Sequence, residues 1–190
     1  VKTIDIHNIL IQSACDLISE ENPNYQYVAA NLLNYLLRKQ VFEVKDNLPH
    51  LKDVIKRNID WEIYDKLILE KYTEDEIDQI NKWIKHSRDF NFTYAGLQQL
   101  VDKYLLKDRF NNTLFETPQY MYMMIAMTIF ADYTKDKLKW VKKFYDAASL
   151  FKINLPTPIM SGVRTPNRQW SSCTLIDVDD SLNSIFSSST

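Results

Sequence analysis

The chain has 190 residues, 45% of them hydrophobic and 25% charged, which is enough for one sizeable core. Its net charge of −2 gives no electrostatic reason to expect nucleic acid or an anionic membrane as a partner. Its two glycines, Gly96 and Gly162, rule out a Walker loop or a GxGxxG turn, because both need clustered glycines where phosphate meets the backbone.

In chain order, Ile6, Ile9, Leu10, Ala14 and Leu17 recur at helical spacing, which predicts a first helix to about Ser19. Asn22 and Pro23 end it. A second helix runs from Asn24 or Tyr25 to about Val41, with Val28, Leu32 and Leu36 inside. Shorter helices are predicted over 51–55 and 62–69. "TEDE", Thr73 to Glu76, is a capping box, in which Thr73 takes an orphan amide and Glu76 reaches back. The helix behind it turns Ile77, Ile80 and Ile84 inward, and "TYAGLQQLVDKYLL" continues through Leu97, Val101 and Tyr104.

The helical rhythm breaks at "YLLKDRFNNTLFE", which reads as a small hairpin turning at Asn111-Asn112. Thr117 and Pro118 then open "PQYMYMMIAMTIFAD", apolar all round and therefore central, with its methionines as core filler. Thr134 is the expected cap of the next helix, whose Leu138, Val141, Phe144 and Ala148 face in and whose lysines form a solvated face. "FKINLPTPIMSGVRTPNRQW" has three prolines and is expected not to be helical. "WSSCTLIDV" alternates like a strand, and Asp180 is the expected cap of a helix from Ser181. A helical region leading into strand, acidic turn and helix is how an α/β domain begins.

Three scattered histidines (His7, His50, His86), with no HExxH and no CxxC, do not suggest zinc, and nothing like GxSxG supports a serine triad. Cys15 and Cys173 make no disulfide framework, which points to a reducing, cytoplasmic setting. No apolar run could span a bilayer, and "VKTIDIHNIL" is not a signal peptide. The chain opens on Val1 within an amphipathic pattern and stops just after a helix begins, so it is expected to be a piece of a longer protein.

"LPTPIMSGVRTPNRQWSSCTLIDVDDSL" resembles the entry to the catalytic barrel of class I ribonucleotide reductase large subunits. The double "TP" steps, "RQ"-aromatic-"SSC" and "DSL" carry the match. It extends upstream through "RKQVF", "YTEDE", "RDFNFTYAGLQQLVDKYLL", "ETPQYMY" and "VKKFYDAAS". Trp170 stands where the family often has Phe, and Asn167 where Thr is common.

The resemblance implies a mainly α chain in three parts. Residues 1–42 are the second half of an ATP-cone, 43–150 a helical domain with the small hairpin, and 151–190 the first strand and helix of a ten-stranded α/β barrel. It further implies reduction of ribonucleoside diphosphates by a thiyl radical, with Cys173 as one of two cysteines that supply electrons and become a disulfide. Thr157 and Ser172 match substrate contacts. Asp180, Ser181 and Leu182 match the start of the specificity-effector site, and Thr3 and Lys39 match positions of the ATP-cone. The radical cysteine, the second redox cysteine and the radical-transfer tyrosines are expected beyond Thr190.

Expected partners are the rest of the large subunit, a second large subunit, a small subunit carrying a metal-radical cofactor, and thioredoxin or glutaredoxin, with ATP or a deoxynucleotide as effector. No nucleic acid or membrane partner, and no cofactor bound by this chain itself, is expected.

Each site residue also has a plainer reading. A strand cysteine is commonly a small hydrophobe, and Cys15, on an amphipathic helix, is read as core. Thr157 and Ser172 could satisfy nearby backbone, Asp180 could be only a cap, and Lys39 only a cation at a helix C-terminus. Two rival readings remain open. One is a natural split subunit that works with a second polypeptide; the other is a helical nucleotide-binding or assembly module without redox chemistry.

Overall fold

A computed structural model describes residues 2–108, 110–167, 171–173 and 175–188. The helices are α1 Thr3–Asp16, α2 Tyr25–Phe42, α3 Leu51–Asp60, α4 Leu67–Lys71 and α5 Glu74–Asn81, then a 3-10 helix His86–Asn91. After it come α6 Tyr94–Gln99, running straight into a π-helical turn Leu100–Tyr104, then α7 Pro118–Ile129, α8 Lys137–Ser149, α9 Thr157–Gly162 and α10 Leu182–Ser188.

Residues Pro118 to Met127 of α7 are all buried, as an all-round apolar helix must be. Pro118 sits in its first turn, where a missing N–H costs nothing. Met121, Met123, Met124 and Met127 are core filler, at most 1% exposed. α8, the 3-10 helix and α9 pack around α7, while α2 packs on α6 and the 3-10 helix. α8 turns Val141 and Ala148 inward as expected, and leaves Lys139, Lys142 and Lys143 in solvent. The capping box is formed: the Glu76 N–H donates to Thr73 Oγ1 (3.3 Å) and the Thr73 N–H to Glu76 Oε2 (2.9 Å). The hairpin is present as one antiparallel bridge, Lys107 to Leu114, with Asn112 at φ 59° in the left-handed region that asparagine tolerates.

Several expectations fail for local reasons. The helix expected over 62–69 begins only at Leu67, because Glu62 adopts φ 57° and the Ile63 and Tyr64 amides fold back onto the Asn58 carbonyl. Thr134 does not cap α8; the helix starts after Asp136, itself at φ 58°. The proline-rich segment does contain a helix, α9, because Pro156 precedes it and Pro158 occupies its first turn. Among the described residues of 171–179 no strand forms, since a strand needs a neighbour to pair with. The Arg168–Trp170 stretch and Thr174 lie outside the described residues. The cap of α10 is Ser181 rather than Asp180: Ser181 Oγ accepts from the Ser184 N–H (3.2 Å).

Of the periodic residues of α1, only Ala14 is buried, and the inner face expected for α2 fails at Val28. Ile11 and Ala14 are buried against α2, whereas Ile6, Ile9, Leu10 and Leu17 are exposed, and so is Val28 of α2. Among the described residues no helix is long and apolar enough to cross a membrane.

Candidate functional site

Thr157 opens α9 and is exposed, its Oγ1 3.2 Å from the Tyr104 hydroxyl. A cavity of about 450 Å³ opens beside it, with Lys103, Tyr104, Lys107 and Ser161 in its wall. Beneath α9 lies a fully buried ion pair. Arg164 donates through Nε to both Glu116 oxygens (3.1 and 3.0 Å) and through Nη2 to Glu116 Oε1. Glu116 also accepts from the Tyr64 hydroxyl (2.7 Å) and the Leu106 N–H (2.9 Å). Arg164 further donates to the carbonyls of Met160 (2.5 Å) and Tyr104 (2.9 Å). Burial, reinforced by the Glu116 charge, holds the Tyr64 phenol well above its usual range, so it stays a donor.

Thr3 and Lys39 come together. With Ile4, His7, Leu36 and Gln40 they line a cavity of about 250 Å³ between the start of α1 and the end of α2. The next residue inward, Arg38, is buried. It donates to the His86 carbonyl (2.8 Å) and pairs with Asp89 Oδ2 (3.3 Å), whose other oxygen accepts from Gln119 Nε2 (3.0 Å). Gln119 in turn accepts from the Tyr145 hydroxyl (2.6 Å).

The third group lies along the exposed end of the described chain. Ser172 and Cys173 are exposed neighbours, 3.9 Å from hydroxyl to sulfur, and Asp180, Ser181 and Leu182 are exposed at the start of α10. Cys15 packs at the edge of the core, and burial raises its thiol pKa, so it is a poorer nucleophile than a free cysteine. Among the described residues no three His, Cys, Asp or Glu side chains gather as metal ligands would. The chain therefore brings Thr3 to Lys39 and Thr157 to Tyr104, and it leaves Cys173 apart from any second thiol. Glu116, Arg164, Arg38 and Asp89 were missed in the sequence, where each reads as an ordinary surface charge.

The Asp89 cluster has a testable pH signature. Burial outweighs the Gln119 bond and the Arg38 charge and lifts Asp89 from 3.8 to about 6, while burial and Arg38 depress His86 from 6.5 to about 4. The Asp89 contribution to stability is complete below pH 3.8 and is lost as pH rises through 6. That of His86 is complete above 6.5 and is lost as pH falls through 4. Each is worth about 3 kcal/mol, and the two offset one another between pH 4 and 6. Asp89→Asn should therefore expose a rise in stability with pH from 4 to 6.5, absent in the parent chain, when urea midpoints are compared across that range. A flat profile in the variant would refute the assignment.

The fold and the buried pair beneath α9 define a helical domain that carries a polar, hydroxyl-bearing segment at its surface. Residues 90–168 match the family described as ribonucleotide reductase, all-alpha domain. Over 97% of its length the chain is 47% identical to the ribonucleoside-diphosphate reductase subunit alpha of Haemophilus influenzae, and likewise to reductase 1 subunit alpha of Escherichia coli K12. The subunit alpha of enterobacteria phage T4 is 45% identical over 96% of the chain. In each case the aligned part is 24% of the relative, so the chain spans about a quarter of the length of the curated relatives it matches. The chain belongs to the ribonucleoside-diphosphate reductase alpha-subunit family.

Proposed function

We propose that this chain is part of an enzyme that reduces ribonucleoside diphosphates to deoxyribonucleoside diphosphates for DNA synthesis. The observation that carries the reading is 47% identity along 97% of the chain to reductase alpha subunits. Residues 1–42 form the second half of an ATP-cone, 43–150 the helical domain, and 151–190 the entry to a catalytic α/β barrel.

The reaction removes the ribose 2′ hydroxyl as water and needs two electrons. Cys173 and a second cysteine elsewhere in the enzyme give them up, losing two protons and forming one S–S bond. Thioredoxin or glutaredoxin then reduces that bond. A small subunit with a metal-radical cofactor supplies the radical, and two alpha subunits pair in a cytoplasmic complex. Thr157 and Ser172 donate hydrogen bonds to the substrate's diphosphate and ribose oxygens.

Asp180, Ser181 and Leu182 begin the specificity-effector site, where the Asp180 carboxylate accepts from sugar hydroxyls. The cavity at Thr3 and Lys39 fits part of an ATP molecule. The Lys39 ammonium suits phosphate and the Thr3 hydroxyl a polar oxygen, while Ile4 and Leu36 give an apolar wall. At about 250 Å³ it is smaller than most ligand pockets and holds less than the whole nucleotide.

The 190-residue chain mixed with a radical-generating subunit and a dithiol is expected to form no deoxynucleotide. It contains one candidate redox thiol, and its other cysteine is half-buried on α1. Product formed above the rate without the chain would overturn the assignment of Cys173 as one member of a pair.

A further inference from the structure

α9 has six residues, too few to be held by its own hydrogen bonds, and none of them is fully buried; Ile159 and Met160 are partly buried against the core, and Val163 just past its end is buried. A polar network adds direction to that packing. Arg164, just past its C-terminal end, is 0% exposed and spends its guanidinium on three elements at once. One nitrogen grips the Met160 carbonyl of α9, one reaches the Tyr104 carbonyl at the end of the π-helical turn, and the fork is closed by Glu116 ahead of α7. The Arg164 carbonyl accepts from the Asp65 N–H (3.0 Å), which ties in the segment before α4. From Tyr104 the connection returns to α9, because its hydroxyl meets the Thr157 hydroxyl at 3.2 Å. The contacts form a ring from Thr157 through Tyr104 and Arg164 back to α9.

A buried ion pair is a poor way to gain stability, since an apolar pair of the same volume often does as well or better. It does fix geometry: Glu116 can meet a bidentate guanidinium, a phenol and an amide together in one arrangement only.

We propose that Glu116 and Arg164 are positioning residues for substrate: acting through Tyr104 and α9, they set where the Thr157 hydroxyl meets the nucleoside diphosphate. The inference rests on the reading of Thr157 as a substrate contact. Neither Glu116 nor Arg164 touches substrate. Their effect is to hold a donor in place, and a displacement of about 1 Å in such a donor can cost up to about a hundredfold.

The test uses the complete reductase containing this chain, with its small subunit and reductant, and reads KM and kcat for a ribonucleoside diphosphate beside Tm. Thr157→Ala and Glu116→Gln should each raise KM about tenfold with kcat within about twofold. The double variant should be no worse than Thr157→Ala alone, because both lose the same contact. A merely structural pair would lower Tm and the active fraction without moving KM. If Thr157→Ala raises KM while folded Glu116→Gln does not, or if the two effects multiply, the positioning role is overturned and the substrate contact stands. An unchanged KM in Thr157→Ala removes the substrate contact and the inference with it. Should Glu116→Gln fail to fold, Tyr104→Phe decides: it deletes one hydroxyl, leaves the ion pair, and should raise KM several-fold. An unchanged KM in that variant overturns the proposal.

Discussion

Cys173→Ser in the complete reductase is expected to reduce multiple turnover to background while substrate and effector affinities stay within a few-fold. A serine keeps the volume and cannot form a disulfide, so each active site would lack one of the two thiols that return electrons after ribose reduction. A packing role predicts the reverse pattern. Replacing a buried thiol by a hydroxyl would cost about 1–3 kcal/mol of stability, and turnover per folded molecule would survive. In this chain Cys173 is exposed and packs in no core, so the plainer reading has nothing here to fill. Melting temperature, nucleotide binding and turnover measured on one preparation separate the two. Full turnover in a destabilised enzyme would return Cys173 to a structural role.

Arg164→Met in the 190-residue chain is expected to lower stability by about 3–5 kcal/mol, because it leaves the fully buried Glu116 carboxylate without its cation. A single domain has about 5–15 kcal/mol in total, so such a loss brings the chain near its unfolding threshold. The cost comes from the uncompensated charge and not from the missing packing. Adding Glu116→Gln to Arg164→Met should therefore recover part of it, although two native groups are then gone. Urea titrations give both numbers, provided the slope is unchanged between variants. A single variant within about 1 kcal/mol of the parent would mean that water reaches Glu116 readily.

The elements visible in the sequence are those whose signal is local. "TEDE" announces its own cap, Pro118 marks the start of α7, and ten successive buried residues leave that helix no solvent face to hide. The failures share one cause, which is that the deciding contact lies far away in the chain. Ile9 and Leu10 have helical spacing, but periodicity cannot say which side α2 takes. The alternation in "WSSCTLIDV" describes a strand only where another strand supplies hydrogen bonds. Prolines forbid a helix interior but suit a first turn, a distinction that composition does not make at Pro156 and Pro158.

The candidate site divides the same way. Thr3, Lys39, Thr157, Ser172 and Cys173 could be pointed to through resemblance. Glu116 and Arg164, 48 residues apart, carry no sequence mark of the burial that makes them a pair.

Arg38 and Lys39 are successive residues on one helix, about 100° apart around its axis. The first is bolted: its guanidinium reaches the carbonyls of Lys45 and His86 and the buried Asp89 carboxylate. Any roll of α2 that moved Lys39 would tear out that bolt and strand Asp89. One wall of the cavity at the end of α2, the backbone that carries Lys39, is therefore held to the body of the domain. The facing wall, the start of α1, has no such anchor: Thr3 and Ile4 are exposed there and His7 is half-buried, so the two walls of the cavity are fixed to the domain unequally.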